Sequence, residues 1–148
     1  MEKSSSLIKK IFTGMIALIA ILSVAYIFLV YLATPKDAVL NVLNGAKHGD
    51  MGKISRNATD KATGYFSMAA LRSCTADRKS YDKDHQIDLF NACLLEKYKN
   101  IEIKSIEIKT ISENEADADV MLQEGLDTYS TKFKVLKIKE QWKVHIDY

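Results

Sequence analysis

The feature that most constrains this chain is residues 11–33, a run of 23 residues without a charged side chain. A helix of that length would reach about 34 Å, enough to cross a hydrocarbon core of roughly 30 Å. Lys9 and Lys10 precede the run, whereas Lys36 and Asp37 nearly cancel after it. Because basic residues favour the cytoplasmic side of a membrane, the sequence predicts a single-pass topology. We expect a cytoplasmic tail at residues 1–10, a transmembrane helix at 11–33 and an extracytoplasmic domain at 34–148.

A cleaved signal peptide is the alternative interpretation of this run. Its apolar region would span only about 7–15 residues and end in small residues, whereas Tyr31 would lie three residues before a cleavage after Ala33. No cysteine lies directly at the end of the run, which excludes a lipoprotein. The run also lacks the glutamate that type IV pilins normally carry five residues into this stretch. Thr13 and Ala17 have the small-residue spacing of paired helices, so a homo-oligomer stays possible.

The balance of charge argues against nucleic acid as a partner. Residues 11–148 carry 18 basic and 18 acidic side chains, so the predicted domain has no net charge. Attraction to phosphates supplies most non-specific affinity for nucleic acid, and this domain cannot provide it.

Helical spacing comes first along the predicted domain. An amphipathic helix is indicated by Val39, Val42, Leu43 and Ala46, which recur at helical intervals. Gly49 is expected just after its end. A short helix is expected near residues 51–55 and a clearer one from Asp84. Residues 57–70 are mixed, and residues 73–83 are typical of an exposed loop.

From residue 101 the apolar period changes to two, which predicts four β-strands with turns near residues 112–115, 125–127 and 140–141. A change of parity near Lys104 and Ser105 predicts a β-bulge. Each strand has one apolar and one charged face, as in an antiparallel sheet that is buried on one side. We therefore expect an α+β fold with helices packed on a four-stranded meander.

The charged sheet face is the first candidate for partner binding. Asp117 and Asp119 lie on the second strand, and Lys132 and Lys134 on the third, where opposite charges would pair across the hairpin. A solvated, internally paired face is one interpretation, and a patch for a protein partner is the other.

Cys74 and Cys93 are the two cysteines, and 18 residues separate them. In an oxidising compartment they are expected to form a disulfide, with two free thiols as the alternative. The chain has neither a C-x-x-C motif nor clustered histidines, so we expect no metal and no cofactor.

Four segments resemble the nuclear transport factor two-like (NTF2-like, or cystatin-like) cone: DAVL at 37–40, GDM at 49–51, FKV at 133–135 and QWKV at 141–144. The resemblance covers residues 36–148, and the four segments resemble small bacterial membrane-anchored and lipoprotein members. The architecture is also similar to the periplasmic domain of the inner-membrane assembly factor of type IV secretion systems. The resemblance implies a bacterial inner-membrane protein whose cone lies in the periplasm or outside the cell.

The expected function is binding of other envelope proteins, as a subunit of an envelope or secretion complex and without enzymatic activity. The best contact surface is the predicted loop with Arg78, Lys79 and Tyr81, because recognition residues concentrate on loops held by a scaffold. Alternatives are a small-ligand-binding or catalytic cone, or a membrane-anchored immunity or inhibitor protein. Catalytic cones need an inward carboxylate, whereas Asp117 and Asp119 lie on the charged parity. An apolar pocket would favour ligand binding, and a filled cone would favour protein binding.

Overall fold

The computed structural model describes residues 14–24, 33–75 and 85–147. The chain divides into two units, Met1–Ala33 and Thr34–Tyr148. In the first unit, residues 14–24 are helical and their large apolar side chains are more than half exposed. Within the described ranges, no helix combines the length and apolar character needed to cross a membrane. The predicted tail at residues 1–10 and most of the predicted span lie outside the described residues.

The second unit contains helices followed by a sheet. The helices are α1 (Pro35–Lys47), α2 (Met51–Asn57), α3 (Asp60–Ser73) and α4 (Gln86–Tyr98). The strands are β1 (Ile101–Ser112), β2 (Glu115–Glu124), β3 (Asp127–Ile138) and β4 (Gln141–His145). All pairings are antiparallel, in the order β1-β2-β3-β4. The expected α+β fold, with helices on a four-stranded meander, is confirmed.

The start of α1 is fixed by its own sequence. Thr34 Oγ1 accepts a hydrogen bond from the Asp37 amide at 3.2 Å, and the Thr34 amide donates to Asp37 Oδ2 at 2.8 Å. This reciprocal capping box satisfies two amides at the helix end, and Pro35 suits the first turn because it has no amide hydrogen. At the other end, Gly49 adopts a φ of +65° just after the His48 cap, as predicted.

The core lies between the helices and one face of the sheet. Helix α1 contributes the predicted apolar stripe, which is fully or almost fully buried. Opposite it, Val120, Val135 and Val144 come from β2, β3 and β4 and are at most 1% exposed. The inner face of the sheet is therefore set by the alternation seen in the sequence.

The predicted bulge is present in the pairing of β1 with β2. The pairing of β1 with β2 shifts between Ile103 and Ser105, and a second shift that was not predicted lies between Thr110 and Ser112. The last hairpin turns at Lys139 and Glu140, one residue earlier than expected, and both have positive φ. A two-residue hairpin turn of that hand matches the twist of the strands.

Helix α3 corrects the prediction that residues 57–70 are mixed. Thr59 caps it by accepting a hydrogen bond from the Ala62 amide, and it buries Ala62, Phe66 and Ala70 at intervals of four residues. Two of these three side chains are alanines, which are too small to make the apolar stripe of a helix evident in the sequence. Just before the cap, Ala58 pairs in parallel with Val144 of β4.

Candidate functional site

A cavity of about 170 Å³ lies between the helices and the inner face of the sheet. Its apolar lining comes from the end of α1, from α3 and from β1, β2 and β3: Leu43, Ala46, Phe66, Ile101, Ile103, Leu122 and Phe133. Its polar lining consists of Lys47, Tyr65, Tyr98, Tyr129 and Thr131. An apolar cavity with a few polar groups is the usual form of a small-molecule site.

Aromatic rings form one wall of this cavity around Phe66. The Phe66 ring stacks on Phe133 with centroids 6.3 Å apart, and it meets Tyr98 edge-on at 6.2 Å. Tyr65 adds a further edge-on contact to Phe66 at 6.0 Å. Such offset and edge-on pairs are the favoured geometries of aromatic rings, so this wall has a defined shape.

The phenol groups of Tyr98 and Tyr129 stay protonated at neutral pH. Burial, with a smaller electrostatic effect of Tyr65 and Tyr129, raises the pKa of Tyr98 to about 12. Burial also raises the pKa of Tyr129, and the charge of Glu124 adds to the effect. Each phenol can therefore donate a hydrogen bond to an acceptor in the cavity.

Lys47 is the charged residue in the lining of the cavity. It lies in the last turn of α1, where a cation complements the helix dipole. Among the residues that the structure describes, none forms an ion pair or hydrogen bond with its ammonium group. Its charge does contribute, as the smallest of several causes, to a lowered pKa of Glu102.

The disulfide lies beside this site and confirms the prediction. Cys74 follows α3 and Cys93 lies in α4, with their Cα atoms 5.1 Å apart. Next to it, Glu96 accepts hydrogen bonds from the amide and the hydroxyl of Thr75, the latter at 2.7 Å. The bond therefore joins the end of α3 to α4, which carries Tyr98 into the cavity wall.

The predicted charged residues of the sheet lie on its outer face, opposite the cavity. Lys132 Nζ is 3.3 Å from Asp119 Oδ1, so this pair forms across the β2–β3 hairpin as expected. Asp117 is opposite Lys134 in the register, but the Lys134 ammonium group pairs with Glu115 and Asp147, each at 3.2 Å. Much of the charge on this face is thus paired within the domain. Arg78, Lys79 and Tyr81 lie outside the described residues.

A chain of polar side chains connects β4 with the start of α3. Thr59 Oγ1 is 3.1 Å from His145 Nδ1, and His145 Nε2 is 3.0 Å from Asp147 Oδ1. This order resembles a nucleophile, base and acid, but Thr59 Oγ1 also accepts the Ala62 amide as a helix cap. We interpret it as a structural connection, because the same segment pairs with β4 through the Thr59 amide and the Val144 carbonyl.

No metal-binding group was found within the described ranges, where no three His, Cys, Asp or Glu side chains are suitably placed.

Sequence patterns place two tyrosines of the cavity on inward faces. Tyr129 shares the inner parity of β3 with Thr131 and Phe133, and Tyr98 continues the stripe of α4 that contains Leu94. These patterns show that both rings point inward, but they do not show that a space is left between the helices and the sheet. Ile87, in the first turn of α4, is 64% exposed and does not belong to this inward stripe.

No protein-family model and no curated protein matches this sequence. Among solved structures, the chain is similar to a Campylobacter jejuni protein named as a candidate NTF2-like transpeptidase. The identity is 16% and the TM-score 0.47, over 78% of this chain and 100% of that one. It is also similar to an NTF-2 like protein of unknown function from Shewanella oneidensis. There the identity is 18% and the TM-score 0.33, over 75% of this chain and 94% of that one.

Proposed function

We propose that the domain binds a small apolar molecule in the cavity between the helices and the sheet, and that residues 11–33 hold it at a membrane. The observation that carries the first part is the cavity of about 170 Å³ with its aromatic wall. A dry apolar cavity of about 150 Å³ can hold a benzene ring, so this one has room for a single ring or a short branched chain. For this reason we favour ligand binding in the cavity over the protein-binding module that the sequence predicted.

The positions of the carboxylates support binding of a ligand without catalysis. Asp117 and Asp119 lie on the outer sheet face, away from the cavity. A carboxylate acts as a general base on a substrate only within hydrogen-bond reach of the proton it removes. The tyrosines would therefore orient a ligand through hydrogen bonds, and the rings around Phe66 would contact its apolar part.

The membrane part of the proposal rests on residues 11–33 and on the helix at residues 14–24. The large apolar side chains of that helix are 55–66% exposed, and a lipid phase would remove them from water. The disulfide supports placement of the domain outside the cytoplasm, because disulfides persist in oxidising compartments. The periplasmic or external location, with the N-terminus in the cytoplasm, is part of this proposal.

The ligand site can be tested with benzamide, a neutral and water-soluble single ring. We would titrate the full chain in zwitterionic phospholipid nanodiscs and follow methyl signals of residues such as Ile103 and Leu122 by NMR. Thr131→Leu adds apolar volume to the cavity and should weaken benzamide binding about tenfold, because overfilled sites reject extra atoms.

The matched control is Ser130→Leu. Ser130 is the neighbour of Thr131 on β3, but it faces outward opposite Met121, so benzamide affinity should not change. The ligand proposal would be rejected if neither benzamide nor its anionic counterpart benzoate produced a saturable shift around the cavity, or if both variants bound benzamide equally well.

Binding of other envelope proteins, which the sequence favoured, is the second candidate. What favours it is Leu126 at the tip of the β2–β3 hairpin, which is 100% exposed. An apolar side chain so exposed is available for a partner. Proteins that co-purify with the wild-type chain from membranes, but not with Leu126→Asp, would support this candidate. Identical co-purifying proteins would count against a contact at Leu126.

A further inference from the structure

We infer that the cavity selects a small carboxylate attached to a single ring or a short apolar chain, with Lys47 as the opposite charge and the phenols of Tyr98 and Tyr129 as hydrogen-bond donors. This inference rests on the proposed function, since it requires that the cavity bind a ligand at all. It assigns the chemical class of that ligand from three features: the size of the cavity, its donors and its charge.

The size of the cavity limits the apolar part of the ligand. At about 170 Å³ it is only slightly larger than a site that holds one benzene ring. A steroid-sized or long-chain body would not fit without rearrangement of the wall formed by Phe66 and Phe133. The part of the ligand inside the cavity is therefore one ring, or a chain of similar volume, with its polar group at the lining tyrosines and Lys47.

The polar groups in the lining offer mainly donors. Among the described residues, none accepts or donates a hydrogen bond at the hydroxyl of Tyr98 or Tyr129. Tyr98 and Tyr129 line the same cavity. Because burial raises the pKa of both phenols, they stay neutral at physiological pH and would donate to a carboxylate, which accepts at both oxygens. Hydrogen bonds to an ionised acceptor are about twice as strong as neutral ones.

The charge of the lining favours an anion over a cation. Lys47 brings one positive charge to the lining and lacks a hydrogen-bonded or ion-paired partner among the residues described. The acidic side chains nearby are engaged or lie outside the cavity. Glu102 pairs with Lys104 at 2.7 Å, and Glu96 binds Thr75. Glu124 lines the adjoining surface depression beside Tyr129, so the carboxylate of the ligand is expected on the side of the cavity that holds Lys47.

Aromatic rings alone could instead favour a cation, through the attraction of a positive charge to the ring face. The ring of Tyr98 already has a cation in range, because Lys97 Nζ lies 5.6 Å from its centroid. With Lys47 also in the lining, a second positive charge would meet repulsion. A carboxylate avoids this repulsion and gains the phenol donors.

Three probes of matched shape test the inference: benzoate, its neutral isostere benzamide, and the cation benzylamine. With the full chain in zwitterionic nanodiscs at pH 7, NMR titration should show benzoate binding at least fivefold more tightly than benzamide. Benzylamine should bind more weakly than either. For ligands this small a dissociation constant of about 1 mM is reasonable, and NMR titration measures that range.

Two variants of Lys47 separate charge from shape. Lys47→Gln keeps a polar side chain of similar length but removes the charge, so the ratio of benzoate to benzamide affinity should fall below twofold. Lys47→Arg should retain the preference. The control is Lys109→Gln, which removes the same charge from the outer sheet face, opposite Asp117, and should leave the preference unchanged.

The outcomes distinguish this inference from the proposed function. If benzamide binds as tightly as benzoate, or if Lys47→Gln keeps the preference, the carboxylate inference is wrong although the cavity binds rings. Tighter binding of benzylamine than of benzoate would overturn it as well. If none of the three probes binds, the proposed function fails and the inference fails with it.

Discussion

Substituting alanine for Gly49 should cost about 2–5 kcal/mol of unfolding free energy, for two separable reasons. Gly49 has a φ of +65°, and an L-residue in that region costs about 1–2 kcal/mol. A Cβ atom built there would also lie 2.5 Å from the carbonyl oxygen of Asn91 and 3.0 Å from Leu95 Cβ. The nearer atom belongs to the backbone of α4, so relief requires movement of the helix, and overpacking of this kind costs about 1–3 kcal/mol.

Two other glycines isolate the contributions. Gly125 has a φ of +61° but nothing within 4 Å of its Cβ position, so Gly125→Ala should show only the backbone cost of about 1–2 kcal/mol. Gly64 lies in the interior of α3 with equally open space, so Gly64→Ala should stabilise by up to about 1 kcal/mol through helix propensity.

Urea denaturation of the full chain can measure all three changes. The chain has one tryptophan, Trp142 on β4, and its fluorescence should follow unfolding of the domain. The expected order of stability is Gly64→Ala, wild type, Gly125→Ala, Gly49→Ala. If Gly49→Ala were no less stable than Gly125→Ala, the close approach of α4 to the turn after α1 would be refuted.

Three further perturbations test the fold around the site. Replacing Cys74 and Cys93 together by serine should cost about 3 kcal/mol, because the 19-residue separation no longer closes a loop in the unfolded chain; thermal unfolding with and without reductant measures it. Thr59→Ala should lower the free energy of unfolding by about 1 kcal/mol, because it removes the cap of α3. Thr63→Val should be neutral or stabilising, because the buried Thr63 hydroxyl has no hydrogen-bond partner in the described part of the chain. A hydrogen bond from Lys134 is the chief cause of the lowered pKa of Asp147. The ionised Asp147 therefore contributes to the stability of the fold at neutral pH, and this contribution is lost as the pH falls below about 4. Acidification should therefore lower the melting temperature of the wild type more than that of Asp147→Asn, and equal slopes would contradict this.

The sheet was predictable from sequence because its alternation is direct evidence of two faces. On β2 the alternate residues Ala116, Ala118, Val120 and Leu122 are apolar, and all four are buried as expected. The bulge after Ile103 was also visible, since a change of parity within one strand requires an extra residue. Helix α3 was not recognised, because alanines such as Ala62 and Ala70 pack closely against other elements while adding little to an apolar pattern.

The disulfide could be predicted, whereas the cavity could not. Cys74 and Cys93 are the two cysteines, so the sequence left one possible pairing. A cavity is a space that side chains leave unfilled. Its presence depends on the distance between α1, α3 and the sheet, which the sequence pattern does not give. Tyr98 illustrates the difficulty, because an inward tyrosine that packs in a core and one that faces a void have the same sequence pattern.

The pairing of residues 58 and 59 with β4 has a bearing on how the domain is completed during synthesis. Thr59 and His145 are 86 positions apart, so the start of α3 leaves the ribosome long before the strand that satisfies its amide. Contacts of such long range form late, because the loop between them must close first. Until β4 arrives, the Thr59 amide and the edge of β3 present unpaired backbone groups, which other chains can use for edge-to-edge association. A chain that has not yet formed β4 therefore exposes two sets of backbone groups that the complete domain pairs.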